Sequence, residues 1–262
     1  MPYRKLIQKT KGRLSRGAKK FTESFFTGAF KKNARILGFL QDPRAFSTLR
    51  WKNFLKHCFV PQVFYDIGAN NPFDIYEGQQ TLYKPLMPNT KFFLFEAMAK
   101  HEEALIRSKE PYAVAVLGER DGETKIFYET SLSPAGTGDS YYIEKTKFYE
   151  QNALLKSEHI TRRLDSLVAE RKWPLPDFIK LDTQGSELDI LRGGPQCLAH
   201  ARGVQIECNV QQYNEGAPLL PDVAGFMRDA GFGWYDITQF HFDPNGELRQ
   251  ADMVFLRPDL LK

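Results

Sequence analysis

The chain has little of what would make it a disulfide-held, zinc-held or membrane-spanning protein. Its 262 residues include three cysteines, Cys58, Cys197 and Cys208, an odd number without C-x-x-C spacing. That speaks against a disulfide framework or a cysteine zinc site, and a reducing, cytoplasmic setting is expected. No apolar run is long enough to span a bilayer. The N-terminus is charged but lacks the apolar segment of a secretory signal. Two phosphate-binding signatures are missing, G-x-x-x-x-G-K-[ST] and a helix-opening G-x-G-x-x-G. No repeat of solenoid period occurs.

What is present suits one α/β domain with an appendage. A hydrophobic content of 42% supplies a sizeable core, so global disorder is not expected. Charge is split along the chain. Residues 1–60 hold 15 Lys and Arg against Glu23 and Asp42, a net of +13; the rest holds 21 against 30 acids, a net of −9. A basic arm therefore precedes an acidic body. Residues 1–58 read as a basic, helical extension and 59–262 as the main domain. Apolar Phe26, Phe30, Ile36, Leu37 and Leu40 can share a helical face, and Asp42-Pro43 reads as a break. The arm reads as a solvated extension. Residues 1–50 also suit an anionic membrane surface, where each Lys or Arg contributes about 1 kcal/mol, placing the protein at the membrane periphery. Nucleic-acid binding finds no RNP, KH or zinc motif in support.

From residue 60 the pattern alternates strands and helices. Val63–Ile67, Lys91–Phe95, Tyr112–Leu117, Phe178–Leu181 and Val204–Cys208 read as buried strands. Thr124–Thr130 alternates as an added strand, and Ser131–Tyr142 reads as a loop. Ile160–Arg163 reads as extended, Leu164–Arg171 as a helix. Pro221–Ala230 is a helix with proline in its first turn and Gly231 as its C-terminal cap. Trp234–Ile237 and Met253–Leu256 flank Asp243-Pro-Asn-Gly246, a hairpin signal that predicts two antiparallel strands at a sheet edge. The expected fold is Rossmann-like, a doubly wound and mostly parallel sheet with that edge hairpin.

Two strands stop at an aspartate followed by glycine. One is Val63-Phe-Tyr-Asp-Ile-Gly-Ala-Asn70; the other opens Phe178-Ile-Lys-Leu-Asp-Thr-Gln-Gly-Ser-Glu187. A third strand ends at Glu96. Open α/β sheets bind ligands at the carboxyl ends of their strands, and an acid after the second strand can accept from ribose hydroxyls. Asp66 would repel a polyphosphate and suit a ligand with a positive centre.

These motifs, with Arg163-Leu-Asp-Ser-Leu167, Lys180-Leu-Asp-Thr-Gln-Gly-Ser-Glu-Leu-Asp-Ile-Leu-Arg-Gly-Gly194, Ile206-Glu207 and Phe226-Met-Arg-Asp-Ala-Gly-Phe232, resemble class I S-adenosylmethionine-dependent methyltransferases, and among them the FkbM family. The resemblance implies methyl transfer, mostly to hydroxyl oxygens of sugars, polyketides and similar metabolites. The acceptor would be a small molecule or glycan, and the basic arm would favour an anionic one such as a glycolipid precursor. It implies that Asp66, Gly68 and Asn70, with Ala69, line the methionine end of the cofactor. Glu96, with Ala97, would bind the ribose, and Val116 and Leu117 would flank the adenine. Asp182 and Gln184 would stand near the sulfonium and acceptor. This sequence departs from the family in the stretch Asn71–Gly78, which delays a glycine. It also has Gln184 where many members carry Glu, and Tyr213 one place early before Ala217-Pro-Leu219.

A hydroxyl is a poor nucleophile near neutral pH, so a base or metal should assist. Candidate bases are Asp182, Glu187, Glu207 and His241; Glu187 also suits the start of its helix. The acidic cluster could hold Mg²⁺, although oxygen ligands have no readable spacing here. His57, His101, His159 and His200 show no ligand spacing. Two alternatives stay open at this point: a nicotinamide-dependent oxidoreductase or epimerase, and an inactive interaction module of the same fold.

Overall fold

The computed structural model describes residues 42–75, 78–130, 139–144, 154–212, 214–243 and 245–261. The apolar positions of the arm between Phe26 and Leu40, residues 131–138 of the expected loop, and Tyr213 lie outside the described residues. Ser47–Lys262 forms one compact unit.

Seven strands form the main sheet: β1 (Val63–Ile67), β2 (Lys91–Glu96), β3 (Tyr112–Val114), β6 (Phe178–Leu181), β7 (Gly203–Asn209), β8 (Gly233–Phe242) and β9 (Leu248–Leu256), in the order β3-β2-β1-β6-β7-β9-β8. Strands β1, β2, β3, β6 and β7 pair parallel; β9 pairs antiparallel with β7 and with β8. The edge hairpin is thus present, and its second arm inserts beside β7. A separate antiparallel pair joins β4 (Thr124–Thr130) to β5 (Leu154–Ile160). The helices among the described residues include α1 (Pro43–His57), α2 (Glu102–Ser108), α3 (Leu164–Arg171), α4 (Glu187–Gly193), α5 (Pro195–His200) and α6 (Leu220–Asp229). Among the described residues no helix is long and apolar enough to cross a membrane.

Successive strand residues point to opposite faces, and both faces are covered, which is why these strands read as continuous apolar runs. Tyr65, Ile67, Phe93, Phe95, Ile179, Leu181, Val204 and Ile206 pack with residues of α3, α4, α5 and α6. Phe64, Phe92, Leu94 and Phe178 pack on the other side with Trp51 and Phe54 of α1 and with Leu82, Tyr83, Met87 and Leu105. Trp51 touches the rings of Phe54, Tyr83 and Phe178 at centroid distances of 5.3, 5.1 and 5.2 Å.

On this second face the residue type changes along the strands. Phe64 gives way to Asp66, Phe92 and Leu94 to Glu96, and Phe178 to Lys180. On β7 the same face runs Gly203, Gln205, Glu207, Asn209. The amino halves of the strands build core, and the carboxyl halves carry buried polar groups.

The boundary expected at Asp42-Pro43 is where α1 starts, with the Asp42 carboxylate accepting from the Ala45 N–H at 3.0 Å and proline in the first turn, where its missing donor costs nothing. One strand limit needs correction. The strand expected at Tyr112–Leu117 ends at Val114, because the chain turns away to bridge Leu117 with Arg162. The segment expected to be extended at Ile160–Arg163 runs from the end of β5 through the Arg162 bridge to an extended Arg163.

Candidate active site

The carboxyl ends of β1, β2, β6 and β7 open into a cavity of about 650 Å³. Gly68, Ala69, Asn70, Glu96, Ala97, Val116, Leu117, Asp182, Gln184, Glu207 and His241 all line it. Asp66 and Glu187, expected beside them, do not.

The turn after β1 is set by contacts with its neighbours. Gly68 (φ +83°) and Ala69 both donate to the Phe95 carbonyl at 3.0 Å. A Cβ on Gly68 would lie 1.8 Å from the Asp182 carbonyl oxygen, so only glycine lets β1 and β6 approach this closely. Asn70 (φ +41°) donates its N–H to Glu96 Oε2 at 2.8 Å, and the Met98 N–H reaches Glu96 Oε1 at 3.0 Å. Burial pushes the Glu96 carboxyl up from its usual range, against these N–H donors. Each oxygen keeps a further lone pair for a ligand hydroxyl. Beside it, Met98, Val116 and Phe127 form a small apolar cluster with Ala97 and Tyr141. Phe127 and Tyr141 went unnoticed in the sequence because they arrive from beyond the parallel strands, on β4 and the segment after it.

Asp66 sits beneath the cavity. It pairs at 3.4 Å with Lys180, its cross-strand neighbour on β6, and Lys180 also meets Asp182 at 3.4 Å. Burial raises the Asp66 carboxyl, and Lys180 opposes that shift. The residue reaching the cavity here is therefore Lys180. Its signal was its position two before Asp182 on an otherwise apolar strand.

Glu187 is drawn into the turn that precedes its helix. Its Oε1 accepts from the Thr183 N–H at 2.9 Å, the Gly185 N–H at 3.1 Å and the Thr183 hydroxyl at 3.1 Å. Burial raises its carboxyl as well. It holds the Asp182–Gly185 turn and does not line the cavity, unlike the other candidate bases Asp182, Glu207 and His241.

That turn carries Gln184 in the left-handed region (φ +56°). Gln184 Nε2 donates to Glu207 Oε2 at 2.8 Å and to Asp182 Oδ1 at 3.3 Å. An amide bridging two carboxylates explains glutamine here, since a glutamate would put a third negative charge between them. Glu207 Oε2 also accepts from Gln250 Nε2 at 3.0 Å. His241 Nε2 lies 3.4 Å from Asp252 Oδ1 and 3.9 Å from Glu207 Oε1. Gln250 and Asp252 were missed; their mark is two polar side chains on the same face of an apolar strand.

The strand order, the reversed β9 and a cavity at the parallel strand ends define the class I methyltransferase architecture. The model of the methyltransferase FkbM domain matches residues 66–233. That is more than half of the chain, which therefore belongs to the FkbM methyltransferase family. Membership sets aside the nicotinamide-dependent alternative. No curated protein matches the chain in sequence. Among solved structures it is similar to methyltransferase FkbM from Methylobacillus flagellatus KT, with 13% identity and a TM-score of 0.45, covering 73% of this chain and 43% of that one. It is also similar to 1,6-didemethyltoxoflavin-N1-methyltransferase from Burkholderia thailandensis, solved with 1,6-didemethyltoxoflavin and S-adenosylhomocysteine. Identity is 14% and the TM-score 0.41, over 94% of this chain and 92% of that one. A third is magnesium protoporphyrin IX methyltransferase from Synechocystis PCC 6803 with bound S-adenosylmethionine, at 10% identity and TM-score 0.43, over 84% and 80%. The chain thus spans less than half of the Methylobacillus protein, and none of the three is close enough to lend its acceptor.

Proposed function

We propose that the protein transfers the methyl group of S-adenosylmethionine to a hydroxyl oxygen of a glycan, a glycolipid precursor or a hydroxylated metabolite. One observation carries this reading. A single cavity joins the Gly68–Glu96 cradle to the cluster of Asp182, Gln184, Glu207 and His241.

The residues present fit the cofactor. The apolar surface of Ala97, Val116 and Phe127 suits adenine, and Glu96 beside it suits two ribose hydroxyls. The lining carries Glu96, Asp182 and Glu207 around Lys180, which suits a ligand with a sulfonium and an ammonium. Bound S-adenosylmethionine supplies an electrophilic methyl on positive sulfur. The protein's part is to hold acceptor oxygen, methyl and sulfur in line, and such positioning can contribute about 7–11 kcal/mol. Asp182, steadied by Lys180 and Gln184, would face the positive end of the cofactor. The acceptor's proton would pass to Glu207 or His241 as the carbon–oxygen bond forms and sulfur keeps the electron pair of the broken bond. The net +13 of residues 1–60 supports an anionic or lipid-linked acceptor and contact with an anionic membrane. Sedimentation with anionic liposomes, compared with a chain lacking residues 1–50, tests that part; equal binding rejects it.

The main test is calorimetry with S-adenosylhomocysteine on the wild type and Glu96→Ala. Binding by the wild type and its loss in the variant support the reading; no binding by the wild type rejects it. Labelled methyl donor incubated with glycan and lipid extracts then reads the acceptor. Label in a base-stable ether supports oxygen transfer, and label on nitrogen or carbon overturns it. Cofactor binding without turnover on any extract would favour the inactive module.

A further inference from the structure

The geometry points to a first-row divalent cation site at the acceptor end of the cavity, built from Glu207 on β7, His241 on β8 and Asp252 on β9. Each residue offers one ligand atom, and these atoms all lie within 4.8 Å of one another. The two separations from His241 Nε2 are 3.4 Å to Asp252 Oδ1 and 3.9 Å to Glu207 Oε1. Around an ion with bonds of about 2.1 Å, ligand atoms stand about 3.0 Å apart when adjacent and about 4.2 Å when opposite. The two separations from His241 fall between these values.

The outer oxygens of both carboxylates are already oriented. Glu207 Oε2 accepts from Gln184 and Gln250, and Asp252 Oδ2 accepts from Gln205 Nε2 at 2.9 Å. Amide donors behind ligating carboxylates are the usual outer shell of a metal site. A second, independent observation is Gln205 itself. It is 2% exposed, its carboxamide lies against Asp252, and its Oε1 is buried with no hydrogen-bond partner among the described residues. Asn209 Oδ1, on the same face of β7, is buried in the same way. A buried acceptor without a donor costs about 1–3 kcal/mol. Water molecules bound to a cation would supply the missing donors.

The ligand chemistry selects the ion. One imidazole with two carboxylates suits Mn²⁺ or Zn²⁺ better than Mg²⁺, which favours an all-oxygen shell. Glu207 and His241 face the cavity, whereas Asp252 lies beneath them. The open side of the ion would therefore meet an acceptor hydroxyl, fix its oxygen and lower its pKa, the proton then leaving to solvent because Glu207 and His241 are held as ligands. That role rests on the methyl-transfer reading; the existence of the site does not.

The test is a Mn²⁺ titration of the chelator-stripped full chain followed by electron paramagnetic resonance, with Zn²⁺ calorimetry alongside. One Mn²⁺ per chain is expected, weakened about tenfold or more in both Asp252→Asn and His241→Ala. No binding of either ion by the wild type, or unchanged binding in both variants, overturns the site. His241→Ala alters a half-buried residue and keeps the test decisive if Asp252→Asn fails to fold. S-adenosylhomocysteine binding is measured on the same samples. Intact cofactor binding with no cation binding rejects the cation site alone, and the reverse rejects the cofactor reading alone.

Discussion

Replacing Gln184 by Glu exchanges one NH₂ for one oxygen and leaves size and backbone preference almost unchanged. The consequence is electrostatic. The atom exchanged stands 2.8 Å from Glu207 Oε2 and 3.3 Å from Asp182 Oδ1. Two unit charges about 3 Å apart at an effective dielectric constant of about 20 repel by about 5–6 kcal/mol. The new carboxyl escapes that cost by holding a proton. For a glutamate of ordinary pKa about 4.3, remaining protonated at about pH 7 costs about 3.7 kcal/mol. A folded-state pKa raised above the unfolded value means that the folded state binds the extra proton. Stability relative to wild type then falls as pH rises, by about 1.4 kcal/mol per pH unit. Urea denaturation of Gln184→Glu and wild type at about pH 5 and about pH 7 should show a penalty of about 1 kcal/mol growing to about 3–4 kcal/mol. A pH-independent penalty, or none at either pH, would refute the amide bridge. Added Mn²⁺ should reduce the penalty if the cation site exists.

Three further outcomes follow from the same geometry. Lys180→Met removes the partner of buried Asp66 and should cost about 3–5 kcal/mol in chemical denaturation near neutral pH; a loss below about 1 kcal/mol would show that Asp66 does not depend on Lys180. Trp51→Ala opens a cavity between α1 and the sheet and should cost about 3–5 kcal/mol in thermal unfolding, whereas a variant as stable as wild type would mean α1 does not stay docked. S-adenosylhomocysteine affinity should rise with pH through the mildly acidic range and then level, because burial holds the Glu96 carboxyl above its usual range and the ionised form accepts ribose hydroxyls better. The slope is at most about tenfold per pH unit for one group, and flat affinity across that range would show Glu96 ionised throughout.

Strand positions were readable because a strand buried on both faces announces itself as an apolar run, and an acid at its end breaks that run. Val63–Ile67, Leu164–Arg171 and Phe178–Leu181 have the expected limits. The cavity residues Gly68, Asn70 and Glu96 were readable for the same reason, since they lie within a few residues of strand ends. The boundary read at Asp42-Pro43 is the start of α1, since proline both ends helices and opens them.

Local chemistry, written in short stretches of chain, was thus enough to define the class of fold, the carboxyl edge that opens into the cavity and several residues that line it. Pairing across strands decided the rest. Asp66 and Glu187 look like site residues in the sequence. The fold gives one to Lys180 and the other to its own turn, because a buried carboxylate takes whatever donors lie within reach. Conversely, Asp252 becomes a candidate ligand only because β9 reverses beside β7 and sets it opposite Glu207. Such register-made neighbours are far apart in the chain, and no spacing in the sequence marks them.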